Sequence, residues 1–265
     1  MESLERLVNF ATHLATAAGD VLQTAYQQQS VVNSTKRESP KGLKLAEDKT
    51  IDRWIIEQIR KEYPEHSILT EESRLIEPLG YAATGSYQWI IDPIDGSVNF
   101  STHNPFFAIS IAVMIDGVLT IGVIEAPLLG EQFLAVRGQG ATVNGLPIHV
   151  STTAVLHDAY VLSCDGGVED RIQVFSTLIR NYYDQVKDFR KLGSAALECA
   201  WVASGRADAY LTMAIDAWDV AAGVLLVQEA GGRATTFAGQ DWKPEPTDLI
   251  VSNGLLHSTI VDRLY

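Results

Sequence analysis

The alternation of hydrophobic and polar positions predicts two helices followed by a block of strands in the first part of the chain. Hydrophobic residues recur with the spacing of amphipathic helices over 4–25 and again over 51–59. Short apolar runs then follow one another, separated by turn residues such as the Asp-Gly pair at 116–117, a strong hairpin signal. These runs predict an antiparallel sheet with strands within 68–70, 89–91, 106–115, 118–126 and 132–136.

Beyond a softer boundary near 150–154, apolar runs of strand length alternate with helical patterns, which is typical of an α/β arrangement. We therefore expect an N-terminal α+β part over 1–150 and a C-terminal α/β part over 151–265. The strands predicted in the second part are 160–163, 188–189, 208–213 and 249–252. The helices predicted there are 168–183, 195–203, 217–230 and 255–265.

Composition and charge narrow the class of protein. The 265 residues, 46% of them hydrophobic and 20% charged, are typical of one large globular domain or of two that pack closely together. A net charge of −13 argues against nucleic acids and anionic membranes as partners. Cys164 and Cys199 alone make no disulfide framework, and the first residues lack a signal-peptide pattern. We therefore expect a cytoplasmic protein with neither a nucleic-acid nor a membrane partner.

The candidate chemistry is concentrated where the apolar run 89–91 meets Asp92. Pro93 has no N–H group and is expected to end the strand after Asp92, and the Asp95-Gly96 pair predicts a sharp turn. Two carboxylates three residues apart on such a turn repel each other. A hard divalent cation such as Mg²⁺ would neutralise them. A solvated surface turn is the alternative, but it does not explain the apolar flanks.

The segment 92–100, Asp-Pro-Ile-Asp-Gly-Ser-Val-Asn-Phe, resembles the signature of the inositol monophosphatase family. The segment 70–73 is similar to the family's Gly-Glu-Glu-Ser, with Thr70 in place of glycine. The segments 217–223 and 229–232 resemble the second signature, Trp-Asp-x-Ala-Ala-Gly followed by Glu-Ala-Gly-Gly. The resemblance covers nearly the whole chain. It implies an α+β, layered α/β/α/β/α sugar-phosphatase fold, with an antiparallel N-terminal sheet and a mixed C-terminal sheet.

The resemblance also implies the activity, which is Mg²⁺-dependent hydrolysis of a small phosphorylated substrate by a homodimer with two or three ions. The metal ligands that it implies are Glu71, Asp92, the Ile94 carbonyl, Asp95 and Asp219. The implied catalytic residues are Asp48, Ser97 and Glu71, of which Asp48 and Ser97 would orient and activate the attacking water. The implied substrate-binding residues are Asp95, Gly96, Ser97, Gly193, Ser194, Ala195 and Asp219. Sensitivity to lithium is implied in the same way.

Several alternatives stay open at this point. Asp48 and Asp219 each lie at the start of a helical pattern and could serve only as helix N-caps. The basic segment 36–44 is either a solvated loop or a flap that helps to neutralise phosphate. Thr212 stands where several inositol-using members carry Glu, so inositol phosphate competes with fructose 1,6-bisphosphate, nucleotide 3′-phosphates and NADP as substrate. An inactive, metal-binding regulatory protein is the alternative of a different class.

Overall fold

A computed structural model of the chain describes residues 3–28, 46–78, 86–164, 172–245 and 247–264. The basic segment 36–44 lies outside the described residues. The helices are α1 (Leu4–Gln28), α2 (Ala46–Glu62), α3 (Ser97–Ser101), α4 (Ile172–Tyr182), α5 (Ala195–Ala203), α6 (Ala217–Glu229) and α7 (His257–Val261). None of these described helices combines the length and the apolar character that crossing a membrane requires.

The first sheet contains eight strands within the described ranges, in the order β2-β1-β3-β4-β5-β6-β7-β8. All neighbouring strand pairs in this sheet are antiparallel except β1–β3, which is parallel. The chain runs back along the outer edge of β1 as β2, and it then enters β3 on the other side of β1 in the direction of β1. The Asp116-Gly117 hairpin is confirmed, with both residues at positive φ. The strands are β1 (Ser67–Thr70), β2 (Arg74–Ile76), β3 (Tyr87–Asp95), β4 (Ala108–Ile115), β5 (Val118–Ala126), β6 (Glu131–Val136), β7 (Gly140–Val143) and β8 (Leu146–Pro147).

The second sheet is mixed, with five strands within the described ranges in the order β10-β9-β11-β13-β12. Strand β9 pairs in parallel with β10 and β11, whereas β13 runs antiparallel to β11 and β12. The strands are β9 (Tyr160–Cys164), β10 (Asp188–Arg190), β11 (Ala209–Ile215), β12 (Arg233–Thr235) and β13 (Thr247–Ser252).

The hydrophobic clusters of the described residues define five layers. Helices α1 and α2 cover one face of the first sheet, α5 and α6 lie between the two sheets, and α4 and α7 cover the outer face of the second. A helix between two sheets must be apolar on all sides, and α5 and α6 are buried along almost their whole length. The expected layered α/β/α/β/α fold is thus confirmed.

Helix α6 approaches its neighbours unusually closely because glycines lie at both contacts. A Cβ atom added at Gly122 in β5 would lie 2.8 Å from the Ala222 carbonyl oxygen. A Cβ atom added at Gly223 would lie 2.3 Å from the Cβ atom of Cys199 in α5. Close packing at these glycines fixes α6 against the first sheet and α5, and so fixes the position of Asp219 near its first turn.

Two predicted boundaries near the candidate site are wrong. Strand β3 does not end at Asp92 but continues to Asp95, because a β-bulge between these residues takes Pro93 out of the regular ladder. Helix α2 begins at Ala46, so Asp48 lies inside its first turn rather than before it. The closing helix is also shorter than expected and covers only His257–Val261.

Candidate metal centre

Two buried aspartates and a partly buried one meet at the end of β3 and the start of α6. Asp92, Asp95 and Asp219 each place a carboxylate oxygen within 4.8 Å of the others. We call this group the aspartate cluster. Asp92 and Asp95 are 2% and 6% exposed, so water does little to screen their mutual repulsion. The structure thus joins the predicted turn at 92–96 to a residue that lies more than a hundred positions further along the chain.

The β-bulge in β3 shapes the first part of the cluster. The Asp92 carboxylate accepts a hydrogen bond from the Ile94 N–H at 2.9 Å, which fixes that side chain across Pro93. Gly96 follows at φ 94°, a left-handed conformation that favours glycine, and α3 starts at Ser97. An added Cβ at Gly96 would also lie 3.1 Å from the Gly193 carbonyl oxygen. The predicted turn is therefore confirmed, and it lies against the 193–195 segment.

The N-terminus of α5 holds the Asp95 carboxylate. Asp95 accepts hydrogen bonds from the Ala195 N–H at 3.1 Å, from the Ala196 N–H at 2.8 Å and from the Ser194 hydroxyl. Ser194 is the N-cap of α5, and Gly193 before it has φ 90°. The predicted residues Gly193, Ser194 and Ala195 therefore lie in the site, and two of them hold a cluster carboxylate directly.

Asp219 enters the cluster from the first turn of α6. The N-cap of that helix is Asp216, and the Asp219 carboxylate accepts the Asp216 N–H at 3.2 Å. The interpretation of Asp219 as an N-cap is therefore wrong, because it occupies the third helical position. This capping bond holds the Asp219 carboxylate at the start of α6, where one of its oxygens lies within 4.8 Å of oxygens of Asp92 and Asp95.

Glu71 and Asp48 lie beside the aspartate cluster. The Glu71 N–H donates to the Ile91 carbonyl at 3.3 Å, which places Glu71 one residue from Asp92 across the β1–β3 pair. Asp48 is buried in the first turn of α2. The charges of both residues act on the Asp92 carboxyl. The structure therefore gathers all five predicted acids into one region.

Burial and mutual repulsion make these carboxyls hard to ionise together. Burial, followed by the charges of Glu71, Asp95 and Asp219, raises the pKa of Asp92 well above its ordinary value. Burial and the charges of Asp95 and Glu71 likewise raise the pKa of Asp219. Burial raises the pKa of Asp95 to about 6, although hydrogen bonds from Ser194 and the α5 backbone oppose the shift.

This donor set fits a hard divalent cation. Such ions take carboxylate oxygens as ligands, and a bound cation would offset the repulsion that raises these pKa values. The cluster contains no histidine or cysteine, which would favour zinc or a softer metal. The aspartate cluster can therefore hold a metal ion, with Glu71 and the Ile94 carbonyl as neighbouring oxygen donors.

Glu198 is a site residue that the sequence patterns did not identify. It is fully buried in α5, and burial raises the pKa of its carboxyl to about 8. Its Oε1 atom accepts the Leu192 N–H at 2.9 Å, and the Asn99 amide donates to the Leu192 carbonyl at 2.8 Å. Together Glu198 and Asn99 hold the loop that presents Ser194 to Asp95. The signal in the sequence that could have identified Glu198 is a single acid within the otherwise apolar stretch 195–203.

Comparison with known proteins agrees with this fold and site. A model of the inositol monophosphatase family matches residues 3–264. A relative from Thermotoga maritima, named fructose-1,6-bisphosphatase/inositol-1-monophosphatase, is 36% identical over 97% of this chain and 95% of its own length. A relative from Escherichia coli K12, named Nus factor SuhB, is 38% identical over 88% of this chain and 86% of its own length.

A solved structure of an inositol monophosphatase from Anabaena (Nostoc) sp. PCC 7120 superposes on this chain with a TM-score of 0.85. It is 34% identical, and the match covers 98% of this chain and 96% of that structure. The class of protein is therefore a phosphatase with this layered fold. The chain belongs to the inositol monophosphatase family, as the resemblance at 70–73, 92–100 and 217–232 predicts.

Proposed function

We propose that the protein hydrolyses inositol monophosphate or a related sugar phosphate with Mg²⁺ held at the aspartate cluster. The observation that carries the proposal is the convergence of Asp92, Asp95 and Asp219 within 4.8 Å in a buried site. A bound cation would offset the repulsion between carboxylates at this spacing, and Mg²⁺ commonly shares its ligand shell with substrate phosphate. Family membership supports phosphate monoesters as the substrates.

The side chains of the cluster have distinct proposed roles. Glu71, Asp92 and the Ile94 carbonyl would hold one ion, and Asp92, Asp95 and Asp219 would hold a second. A divalent cation bound there would neutralise phosphate charge and promote ionisation of water. The Ser194 hydroxyl and the N–H groups of Ala195 and Ala196 keep Asp95 in place, so its orientation is set before substrate binds.

Asp48 and Ser97 are proposed to orient the attacking water, with Glu71 contributing to its activation. Asp48 is close enough to affect the Asp92 carboxyl, and Ser97 is the first residue of α3. The first N–H groups of a helix have no intrahelical acceptor, so those after Gly96 can donate to phosphate oxygens. The Gly193–Ala195 segment lies against Gly96 and would contact the alcohol side of the substrate.

The name Nus factor, carried by some relatives, supports a second candidate in which the chain is a metal-binding regulatory protein. The complete acid set at 48, 71, 92, 95 and 219 favours hydrolysis, because a regulatory role does not need the further acids Asp48 and Glu71 near Asp92. Inhibition by lithium, a homodimer, a cytoplasmic location and the division at residue 150 stay predictions.

A phosphate-release assay tests this proposal. With Mg²⁺, kcat/KM should be higher for inositol 1-phosphate and sugar phosphates than for a nucleotide 3′-phosphate or NADP. Excess EDTA should abolish turnover, and added Mg²⁺ should restore it, because the proposed mechanism depends on a cation that the carboxylates of the cluster bind. Full turnover in EDTA would refute the metal-dependent mechanism. If none of these substrates releases phosphate, the regulatory candidate is favoured. A higher kcat/KM for NADP than for the sugar phosphates would overturn the proposed substrate class.

A further inference from the structure

Arg74 has an unusual backbone conformation at the end of the turn that carries Glu71. The hairpin between β1 and β2 turns through Glu71, Glu72 and Ser73 and re-enters the sheet at Arg74, which pairs with Thr70. The Arg74 backbone has φ 61°, in the left-handed region that glycine and asparagine adopt most readily. The backbone of the hairpin does not favour an arginine here, so the contacts of its side chain are the feature to explain.

The Arg74 side chain crosses from the first sheet to the start of α6. Its guanidinium carbon lies 4.8 Å from the centre of the Trp218 ring, within the range of a cation–π contact. Trp218 is 6% exposed and directly precedes Asp219. Arg74 therefore connects the hairpin that carries Glu71 to the helix that carries Asp219. The guanidinium is thus held against the residue that directly precedes Asp219.

The hydrogen-bonding edge of this guanidinium is not used by the described protein. Arg74 is exposed, and no ion pair or side-chain hydrogen bond joins it to another residue in the ranges that the structure describes. By contrast, Arg206 is engaged by Glu131 through both of its terminal nitrogens. Stacking on an aromatic ring orders an arginine while leaving its in-plane N–H donors available, and those donors match phosphate or carboxylate.

We propose that Arg74, stacked on Trp218, binds a second anionic group of the substrate, one that is not hydrolysed. The inference rests on the proposed phosphatase function and narrows its substrate class to sugar phosphates with a further phosphate or carboxylate group. In a chain of net charge −13, an arginine beside acidic residues attracts an anion where its surroundings otherwise repel it. The hydrolysed phosphate is assigned to the cluster itself, where the proposed metal ligands lie.

The test compares two substrates that differ only in the second group, fructose 1-phosphate and fructose 1,6-bisphosphate, with release of the 1-phosphate measured in Mg²⁺. Arg74→Asn removes the charge but tolerates the left-handed backbone, so the variant should fold. It should lower kcat/KM for the bisphosphate about 10-fold or more, mostly through KM, and change the monophosphate less than about 3-fold. Arg74→Lys keeps the charge without the planar donors, so its kcat/KM for the bisphosphate should lie between the values of the wild type and Arg74→Asn. Arg180→Gln, at an exposed arginine of α4, is the matched control.

Each other result is decisive. Equal losses for both substrates would place Arg74 on the hydrolysed phosphate and overturn the subsite, and so would no loss for either. A wild-type protein that hydrolyses fructose 1-phosphate but not the bisphosphate would also overturn it. Absence of phosphate release from every ester, including inositol 1-phosphate, would refute the proposed function itself, and the subsite would fall with it.

Discussion

Replacing Asp95 by asparagine should lower kcat for phosphate release at least about 100-fold, the range seen when a group that stabilises transition-state charge is lost. The substitution keeps the shape of the side chain but removes a charged oxygen donor from the cluster. The carbonyl oxygen of the introduced amide can still accept one hydrogen bond from α5, so the fold should persist. Steady-state kinetics at saturating Mg²⁺, with circular dichroism and thermal unfolding, measures both effects.

A buried aspartate outside the cluster provides the control for this prediction. Asp208 is 6% exposed and accepts hydrogen bonds from the Tyr160 N–H and the Ser151 hydroxyl. Asp208→Asn should lower the unfolding temperature, because a buried hydrogen bond is lost, but leave kcat near the wild-type value. Near wild-type turnover of Asp95→Asn would show that Asp95 does not hold a catalytic metal.

The pair Asp219→Asn and Asp216→Asn should separate metal binding from helix capping. Both residues belong to the first turn of α6, and Asp219 accepts the Asp216 N–H. Asparagine caps helices about as well as aspartate, so Asp216→Asn should change kcat less than about 3-fold. Asp219→Asn keeps an acceptor for the same N–H but loses the charge, and kcat should fall about 100-fold or more.

Thermal unfolding in EDTA adds an independent readout for Asp219→Asn. Without a cation, the carboxylates of the cluster repel one another, so removing one charge should leave the unfolding temperature unchanged or raise it. Mg²⁺ should stabilise the wild type, which binds it in the folded state, and stabilise the variant less. Equal kinetic losses in the two variants would mean that helix capping, rather than metal binding, explains the requirement for Asp219.

The features of the site that the sequence predicts are those that lie within short segments. The turn at 92–96, the acid after β1 and the aspartate near the start of α6 are each recognisable from adjacent residues. The five-layer order was implied by the resemblance to the family, and the structure agrees with it, since α5 and α6 are buried on all sides between the two sheets. Those features account for the fold class and for the region in which the acids meet.

Contacts between distant segments explain what the patterns could not predict. Asp95 is held by α5, a hundred residues away, and this contact depends on how the helix packs between the two sheets. The β-bulge that carries β3 past Pro93 likewise depends on its pairing with β4. The contacts of Glu198 with Leu192 and of Arg74 with Trp218 depend in the same way on packing, because the sequence patterns do not connect these residues.

Crystals grown with Mn²⁺ test most directly whether the aspartate cluster holds a divalent cation. Anomalous diffraction at the manganese absorption edge should show a peak with carboxylate oxygens of Asp92, Asp95 and Asp219 as ligands, at about 2.1 Å, the distance typical of hard divalent ions such as Mg²⁺. Asp219→Asn crystals should lose or weaken that peak. A wild-type protein that releases phosphate with Mn²⁺ but shows its only manganese peak away from these three side chains would contradict the assignment.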